Sequence, residues 1–447
     1  MKTDSICIHN ISDGIVSQLI PQNLELVSGV TEVYELELAY LESKLLSEEE
    51  IIRNGAYFAR VNDKLTRHYL MCKGEPIKLP QHSSSRLKSF FQTNQYKTGY
   101  STHGLFPYRG KFHPQMIKAL MNIMGLKPGD TVLDPMMGSG TVLLEARLMG
   151  IRSIGFDVSP FCCFMTRVKL KSLTMPREPI KNALKYYQHI FSFFQMNNIT
   201  PNVFDNNVCG SLSLIEKLFK TIDIIDMPNV NDSLAIFNFF LLAYLDSVGY
   251  SERSDRKSPL EQFKAVLERY YFVVEKIQRS IINMEKELAD TRALVGDARL
   301  LTLAENSIDG IIFSPPYSFA IDYLENDSFH LNYFNVDTKI LRENMIGLRG
   351  KTLPEKFELY LKDMESVLSG CSRVLKSGKY CIIIIGTNDN QLSKILNKPI
   401  DSIQSLDTVM VNYGNKYGLR LIRTIERQIT GIANTMRYES IIILQKS

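Results

Sequence analysis

Short apolar runs alternate along this chain with stretches of helical periodicity. Ile308 to Phe313 reads as a buried strand, and Thr131-Val132-Leu133, Ser153-Ile154-Gly155-Phe156 and Tyr438 to Leu444 read as further strands. Tyr380 to Ile385 is a continuous, β-branched run that stops at Gly386, the mark of a strand covered on both faces. It follows Val374-Leu375-Lys376-Ser377-Gly378-Lys379, which reads as a turn. Between the first two strands of the chain, Val142 to Leu148 reads as a helix. Strand, loop, helix and strand in that order predict an α/β fold with a nucleotide-type βαβ opening.

A different pattern fills the middle of the chain. Ser258-Pro259-Leu260-Glu261 offers a cap serine, a first-position proline and a capping-box glutamate. Phe263, Val266, Leu267, Tyr270, Val274, Ile277, Ile281, Met284 and Leu288 then recur at three- and four-residue spacing, which predicts a long amphipathic helix. Asp232 is the expected cap of another helix running through Phe237, Phe239, Leu241 and Leu245, and Arg253 to Lys257 is a polar, basic loop. A minimal cofactor-binding sheet does not require this insertion.

Two motifs carry chemistry. The first is the loop Asp134-Pro135-Met136-Met137-Gly138-Ser139-Gly140-Thr141 between strand and helix. Its glycines permit positive φ and close approach to a ligand, and the helix start favours polar or anionic groups. The spacing differs from the dinucleotide G-x-G-x-x-G, which argues against a nicotinamide enzyme. Asp157, after the next strand, stands where a carboxylate commonly binds ribose hydroxyls. The second motif, Ser314-Pro315-Pro316-Tyr317, follows the Ile308–Phe313 strand. Two prolines hold the chain extended and donate no N–H, so their carbonyls are free to accept from an amino group, and the aromatic can stack on a planar base. Taken alone, the motif also fits a plain Pro-Pro turn leaving a strand.

With these motifs in this order, residues 101–175 and 291–447 resemble the S-adenosylmethionine-dependent DNA amino methyltransferases, which methylate cytosine N4 or adenine N6. The resemblance implies a Rossmann-like methyltransferase sheet with a helical insertion and an N-terminal extension. It implies that Asp134, Pro135, Gly138, Gly140 and Thr141 cradle the methionine end of S-adenosyl-L-methionine and that Asp157 holds the ribose. Val295-Gly296-Asp297-Ala298-Arg299 is similar to the third cofactor segment, whose Asp297, with Ala298, meets the adenine. Phe106 to Pro114 resembles the segment that closes over the methionine end, through Phe106 and Lys111. Ser314, Pro315, Pro316 and Tyr317 match the catalytic motif. The implied substrate is double-stranded DNA with its target base flipped out of the duplex, in restriction-modification or phage defence, with a cognate restriction or defence subunit as a possible partner.

The implied organisation is an extension over 1–100, a cofactor half over 101–175, the helical insertion over 176–290 and a catalytic half over 291–447. In the insertion, a target-recognition module presenting Arg253–Lys257 to a DNA groove and a packing or dimerisation domain are both open. Residues 1–50 carry ten acidic and two basic side chains. Residues 51–118 carry twelve basic and two acidic. The basic side chains are Arg53, Arg60, Lys64, Arg67, Lys73, Lys78, Arg86, Lys88, Lys97, Arg109, Lys111 and Lys118, with aromatics among them. That block suits a phosphate-tracking surface, or a merely solvated face. Glu32, Glu35, Glu37 and Glu42 are expected on an exposed helical face.

The remaining composition adds bounds. A chain of 447 residues with 45% hydrophobic content can build more than one core. Seven cysteines without a zinc-type spacing suggest reduced thiols in a cytoplasmic protein, with no metal. The apolar run Leu234 to Leu245 is shorter than a bilayer span, so no membrane is expected. No Pro-Cys dipeptide is present, which argues against carbon-5 methylation. Serine at the head of the catalytic motif is, in the resembled family, typical of cytosine-N4 enzymes. The alternatives are an adenine-N6 methyltransferase, an RNA guanine-N2 methyltransferase and a non-catalytic DNA-binding subunit.

Overall fold

A computed structural model describes residues 8–73, 99–108, 110–197, 212–224, 229–251, 258–281, 287–316, 322–387, 389–428 and 438–447. Tyr317, Arg109, the 74–98 part of the basic block, the loop Arg253–Lys257, Asn388 and Arg437 lie outside the described residues.

Ten strands are described: β1 (Leu24–Leu26), β2 (Phe58–Val61), β3 (Lys64–Leu65), β4 (Thr131–Asp134), β5 (Arg152–Asp157), β6 (Thr291–Val295), β7 (Ile308–Phe313), β8 (Leu375–Thr387), β9 (Leu419–Gln428) and β10 (Tyr438–Lys446). The first three form a small antiparallel sheet. The other seven form one sheet in the order β6-β5-β4-β7-β8-β10-β9. Its first five neighbours pair in parallel, while β10 runs antiparallel to both β8 and β9. The chain leaves β4 towards β5 on one side and resumes at β7 on the other. That reversal is a topological switch point, where open α/β sheets leave a crevice at the strands' C-terminal ends.

The continuous apolar runs are explained by helices on both faces. Along β8, Ile382 and Ile384 pack with the helices Pro114–Ile123 and Thr141–Met149, together with Ile441 and Ile443 of β10. Their neighbours Cys381, Ile383 and Ile385 face the opposite core, with Leu133, Phe313 and the helices Leu353–Val374 and Leu406–Lys416. The expected turn at 376–379 is present as a bulge inside β8. Ile308 pairs with Leu375 and Gly310 with Tyr380, so one intervening residue of β7 stands opposite four of β8, with Gly378 at φ 75°.

The insertion's helices share one apolar core with the segment before the first cofactor helix. Phe237, Phe239, Leu241, Tyr270 and Val274 pack with Leu105, Phe106, Phe161 and Phe164, and with Leu331 and Phe334 of the catalytic half. The long helix spans Pro259–Ile281; of its expected continuation, Met284 lies outside the described residues and Leu288 is not helical. Its capping box is reciprocal: Glu261 N–H donates to Ser258 Oγ at 3.3 Å, and Ser258 N–H to Glu261 Oε2 at 3.2 Å. The preceding helix, Val230–Ser251, is capped by Asn229 rather than Asp232, because Asp232 N–H donates to Asn229 Oδ1 at 2.9 Å. This helix is long and apolar enough to cross a bilayer by length and composition, but 72% of its apolar window is buried inside the protein.

The N-terminal segment corrects two expectations. Glu35 and Glu42 are buried rather than on an exposed face. Glu35 turns back to accept the N–H of Thr31 at 2.8 Å and of Glu32 at 3.1 Å, capping its own helix, Val33–Leu45. Glu42 accepts from Ala56 N–H at 3.0 Å and from Asn122 Nδ2 at 2.6 Å. Burial pushes its carboxyl up to about 7 against those hydrogen bonds. The acid therefore serves as an internal tie between the extension and the helix Pro114–Ile123.

The basic block is corrected likewise. Lys118 is 2% exposed and lies 3.3 Å from Glu145 Oε2. Arg53 and Arg67 both pair with Glu287, at 3.2 and 2.6 Å, and Arg60 lies 3.4 Å from Glu25. Lys118 is thus core, while the three arginines, each paired with a glutamate, remain partly exposed.

Candidate active site

The strand ends at the switch point carry the expected residues into one crevice. β4 ends at Asp134, β5 at Asp157, β6 leads to Gly296-Asp297, and β7 leads to Ser314. A cleft of about 990 Å³, open to solvent, is lined there by Lys111, Pro135, Gly138, Thr141, Asp157, Asp297, Ala298, Ser314, Pro315 and Pro316, among others.

The glycine loop is shaped by its neighbours. Gly138 and Gly140 have φ of 46° and 73°. A Cβ at Gly140 would stand 2.4 Å from Thr166 Cγ2, so only glycine fits there. Thr166 Oγ1 in turn donates to Gly138 O at 3.2 Å, and buried Lys169 donates to Ser139 O at 3.3 Å. The helix Pro160–Lys171 thereby holds the loop from behind. A Cβ at Gly138 would point towards the Tyr108 ring, 3.5 Å away, into the space between loop and opposite wall.

Three carboxylates have distinct states. Asp157 accepts Gly138 N–H at 2.9 Å and Ser159 N–H at 2.8 Å. Burial pushes it up to about 6 in spite of those bonds. Asp134 is fully buried behind the lining; one oxygen accepts Met136 N–H at 3.0 Å and the other has no hydrogen-bond partner. Burial drives its carboxyl well above the ordinary range, with a further push from Asp157. Asp297 goes the other way. Burial opposes ionisation, but Arg299 outweighs it through Nε at 2.9 Å and Nη2 at 2.5 Å, holding Asp297 below the usual range. Arg299 also donates to Asp363 at 3.1 Å and to the carbonyl of Asn344 at 2.9 Å. This fixes the segment whose Met345 and Ile346 line the cleft.

Some expected site residues stand back from the lining. Asp134 and Gly140 lie behind it. Phe106 packs under the segment, 5.1 Å from the Phe161 ring and 5.2 Å from His330, while Tyr108 reaches the cleft instead. Tyr317 lies outside the described residues. Sequence reasoning did not single out Cys162, Tyr323, Asp327, Met345 or Ile346, all of which line the cleft. Tyr323 and Asp327 had a usable signal, following the catalytic motif closely. Met345 and Ile346 had none, since a tertiary contact brings them in.

The residues present fit a ligand combining amino, hydroxyl and aromatic parts. Two carboxylates at adjacent strand ends offer acceptors, and a side-chain-free loop at a helix start offers close approach. The mostly parallel seven-stranded sheet makes the fold α/β and Rossmann-like, and S-adenosyl-L-methionine is the expected cofactor of the cleft at its strand ends.

Comparisons with known proteins agree with that class. A family profile described as UPF0020, RMKL-like, methyltransferase domain, matches residues 105–195. The chain is similar to the type II methyltransferase M.MjaII of Methanocaldococcus jannaschii, 24% identical over 397 residues, covering 66% of this chain and 74% of that one. It is similar to the type II methyltransferase M.BsoBI of Geobacillus stearothermophilus at 25% identity, covering 59% of this chain and 58% of that one. A shorter stretch of 53 residues is 43% identical to a tRNA (guanine(10)-N2)-dimethyltransferase of Methanothermobacter thermautotrophicus, covering 12% of this chain and 16% of that one. A solved S-adenosylmethionine-dependent methyltransferase from Methanosarcina mazei overlays 72% of this chain and 94% of its own at 11% identity, with a TM-score of 0.31.

Proposed function

We propose that this protein methylates the exocyclic amino group of a DNA base, with cytosine N4 as the target. The observation that carries the proposal is the position of Ser314-Pro315-Pro316 in the same cleft as Gly138, Asp157 and Asp297. An amino-accepting edge thus faces the expected cofactor across one cavity. The two type II methyltransferases that match most of the chain support DNA as the substrate.

When bound, S-adenosyl-L-methionine supplies an electrophilic sulfonium methyl. The protein's own part is to bind and orient. Asp157 would accept from ribose hydroxyls and Asp297 from the adenine amino group, while the glycines of the loop would admit the methionine end. The Pro315 carbonyl and the Ser314 hydroxyl accept hydrogen bonds from the base amino group. Those bonds draw its nitrogen towards a tetrahedral shape and free the lone pair for in-line attack. The Ser314 hydroxyl donates to Pro315 O at 3.5 Å, which brings hydroxyl and carbonyl to one small volume. Positioning of this kind can supply much of a rate enhancement. The base must leave the duplex to reach the cleft, and Tyr317 is assigned to stack on it.

A second reading, an RNA guanine-N2 methyltransferase, has support in the short tRNA-dimethyltransferase match. Serine rather than aspartate before Pro-Pro-Tyr favours the DNA reading. Incubation with labelled S-adenosyl-L-methionine and either duplex DNA or tRNA separates the two. Label confined to tRNA overturns the proposal.

A further inference from the structure

The segment ahead of the helix Pro114–Ile123 forms one wall of the cleft through Tyr108, Gly110, Lys111 and Phe112. It runs through two non-glycine residues with left-handed backbone, Ser101 at φ 54° and Phe106 at φ 53°. Such conformations are costly, above all for a bulky side chain, and persist where their surroundings over-determine them. Two buried polar clusters do so here, one on each side of the wall.

The first centres on Glu145, fully buried on the helix that follows the glycine loop. One carboxylate oxygen accepts the Tyr100 hydroxyl at 2.7 Å and faces His103 Nε2 at 2.7 Å; the other lies 3.3 Å from Lys118 Nζ. Lys111 Nζ donates to the His103 carbonyl at 3.0 Å, which ties this anchor to the cleft lining. The second anchor comes from the insertion. The Phe106 N–H donates to the Tyr270 hydroxyl at 2.9 Å, and that hydroxyl donates to Asp246 Oδ2 at 3.0 Å. Arg269 pairs with the same oxygen at 2.5 Å. Asp246 and Tyr270 lie on the helices Val230–Ser251 and Pro259–Ile281.

We infer that Glu145 and Tyr270 are positioning residues that fasten residues 100–108 and 110–112 beside the cofactor cleft, so that the helical insertion serves the cofactor site. Neither touches the cleft; each acts through the backbone of the wall between them. A buried ion pair such as Glu145–Lys118 is a weak source of stability compared with apolar packing, whereas the buried hydrogen bonds from Tyr100 to Glu145 and from Phe106 N–H to Tyr270 hold the wall in one geometry. The inference rests on the cleft being the S-adenosyl-L-methionine site.

The test uses the full chain and four variants: Tyr270→Phe, Tyr100→Phe, their double variant, and Glu145→Gln. Cofactor affinity is read by calorimetry, melting temperature without cofactor, and KM for S-adenosyl-L-methionine separately from kcat. Each tyrosine variant removes one hydroxyl without baring a charge, so the test stands even if Glu145→Gln does not fold. We expect the wild type to bind, and Tyr270→Phe and Glu145→Gln to bind about tenfold more weakly, the scale of one lost hydrogen bond in this setting. KM for the cofactor rises accordingly, with kcat at saturation little changed. Folded variants with wild-type affinity and only a lowered melting temperature overturn the inference and leave the cofactor site standing. A wild type that does not bind the cofactor overturns both.

Discussion

The Asp157 carboxylate accepts the N–H of Gly138 at 2.9 Å, so the residue that ends β5 holds open the loop that follows β4. A single side chain thereby serves two parts of the cleft, as the loop's clasp and as an acceptor at its floor. Asp157→Ala should weaken S-adenosyl-L-methionine binding by about 1–3 kcal/mol, the usual cost of an unmade buried polar contact. Burial raises Asp157 to about 6 from its ordinary 3.8. Linkage then makes its contribution to stability decline as pH rises from the ordinary carboxylate range through about 6, since the folded state holds the proton longer. Cofactor hydroxyls favour the ionised form, so affinity should rise as pH passes through about 6 and level off above it. Calorimetry on both sides of that pH, with Asp157→Asn as a flat control, checks the assignment.

Gly140 is required by two constraints at once, a left-handed φ of 73° and a neighbouring Thr166 that leaves no room for a Cβ. Gly140→Ala should destabilise the protein by about 1–3 kcal/mol through strain and overpacking. It should also weaken cofactor binding, because Thr166 holds the Gly138 carbonyl. A melting curve and a binding isotherm suffice. Full affinity in this variant would show that the loop tolerates rebuilding.

Lys118 belongs by sequence to a basic stretch and by structure to the core. Burial alone would raise the Glu145 carboxyl; the Lys118 charge, with His103 and Tyr100, holds it down to about 2. The stability this confers is present above the ordinary carboxylate pKa and lost as pH falls towards about 2. Removing one partner of a buried pair costs roughly 3–5 kcal/mol, so Lys118→Ala should be markedly less stable. It should nonetheless leave the salt dependence of DNA binding unchanged, since that slope counts phosphate contacts. A flattened slope in a folded variant would return Lys118 to the DNA surface.

What the sequence made legible was local. The Asp134–Thr141 loop, Asp157 and the Ser314 motif are short contiguous signals set by strand ends, and their residues meet around one cleft. The helix at Pro259 was announced by its own capping box. Charge was a poor guide wherever a distant partner decided burial: Glu42 needed Asn122, Lys118 needed Glu145, and Arg67 needed Glu287. Nothing in the helical period of Tyr270 marked it as a ligand for the Phe106 backbone, since that contact joins residues far apart in the chain.

Ser314 and Pro315 both line the cleft, and the role proposed for them, towards the base, is separable from cofactor binding. Ser314→Ala should lower kcat by roughly tenfold, the scale of one hydrogen bond made to the reacting amino group. Cofactor affinity should stay close to wild type, because the acceptors proposed for the cofactor are Asp157 and Asp297. The neutral hydroxyl also bears on which base is used. Cytosine carries its amino group beside a ring nitrogen that is itself an acceptor, and a serine meets that edge without placing a full carboxylate against it. We therefore expect N4-methylcytosine as the product. Mass spectrometry of nucleosides from DNA methylated in vitro reads this directly. Methyl label on adenine would reassign the base while keeping the cleft, and a Ser314→Ala variant with wild-type turnover would remove the hydroxyl from the chemistry.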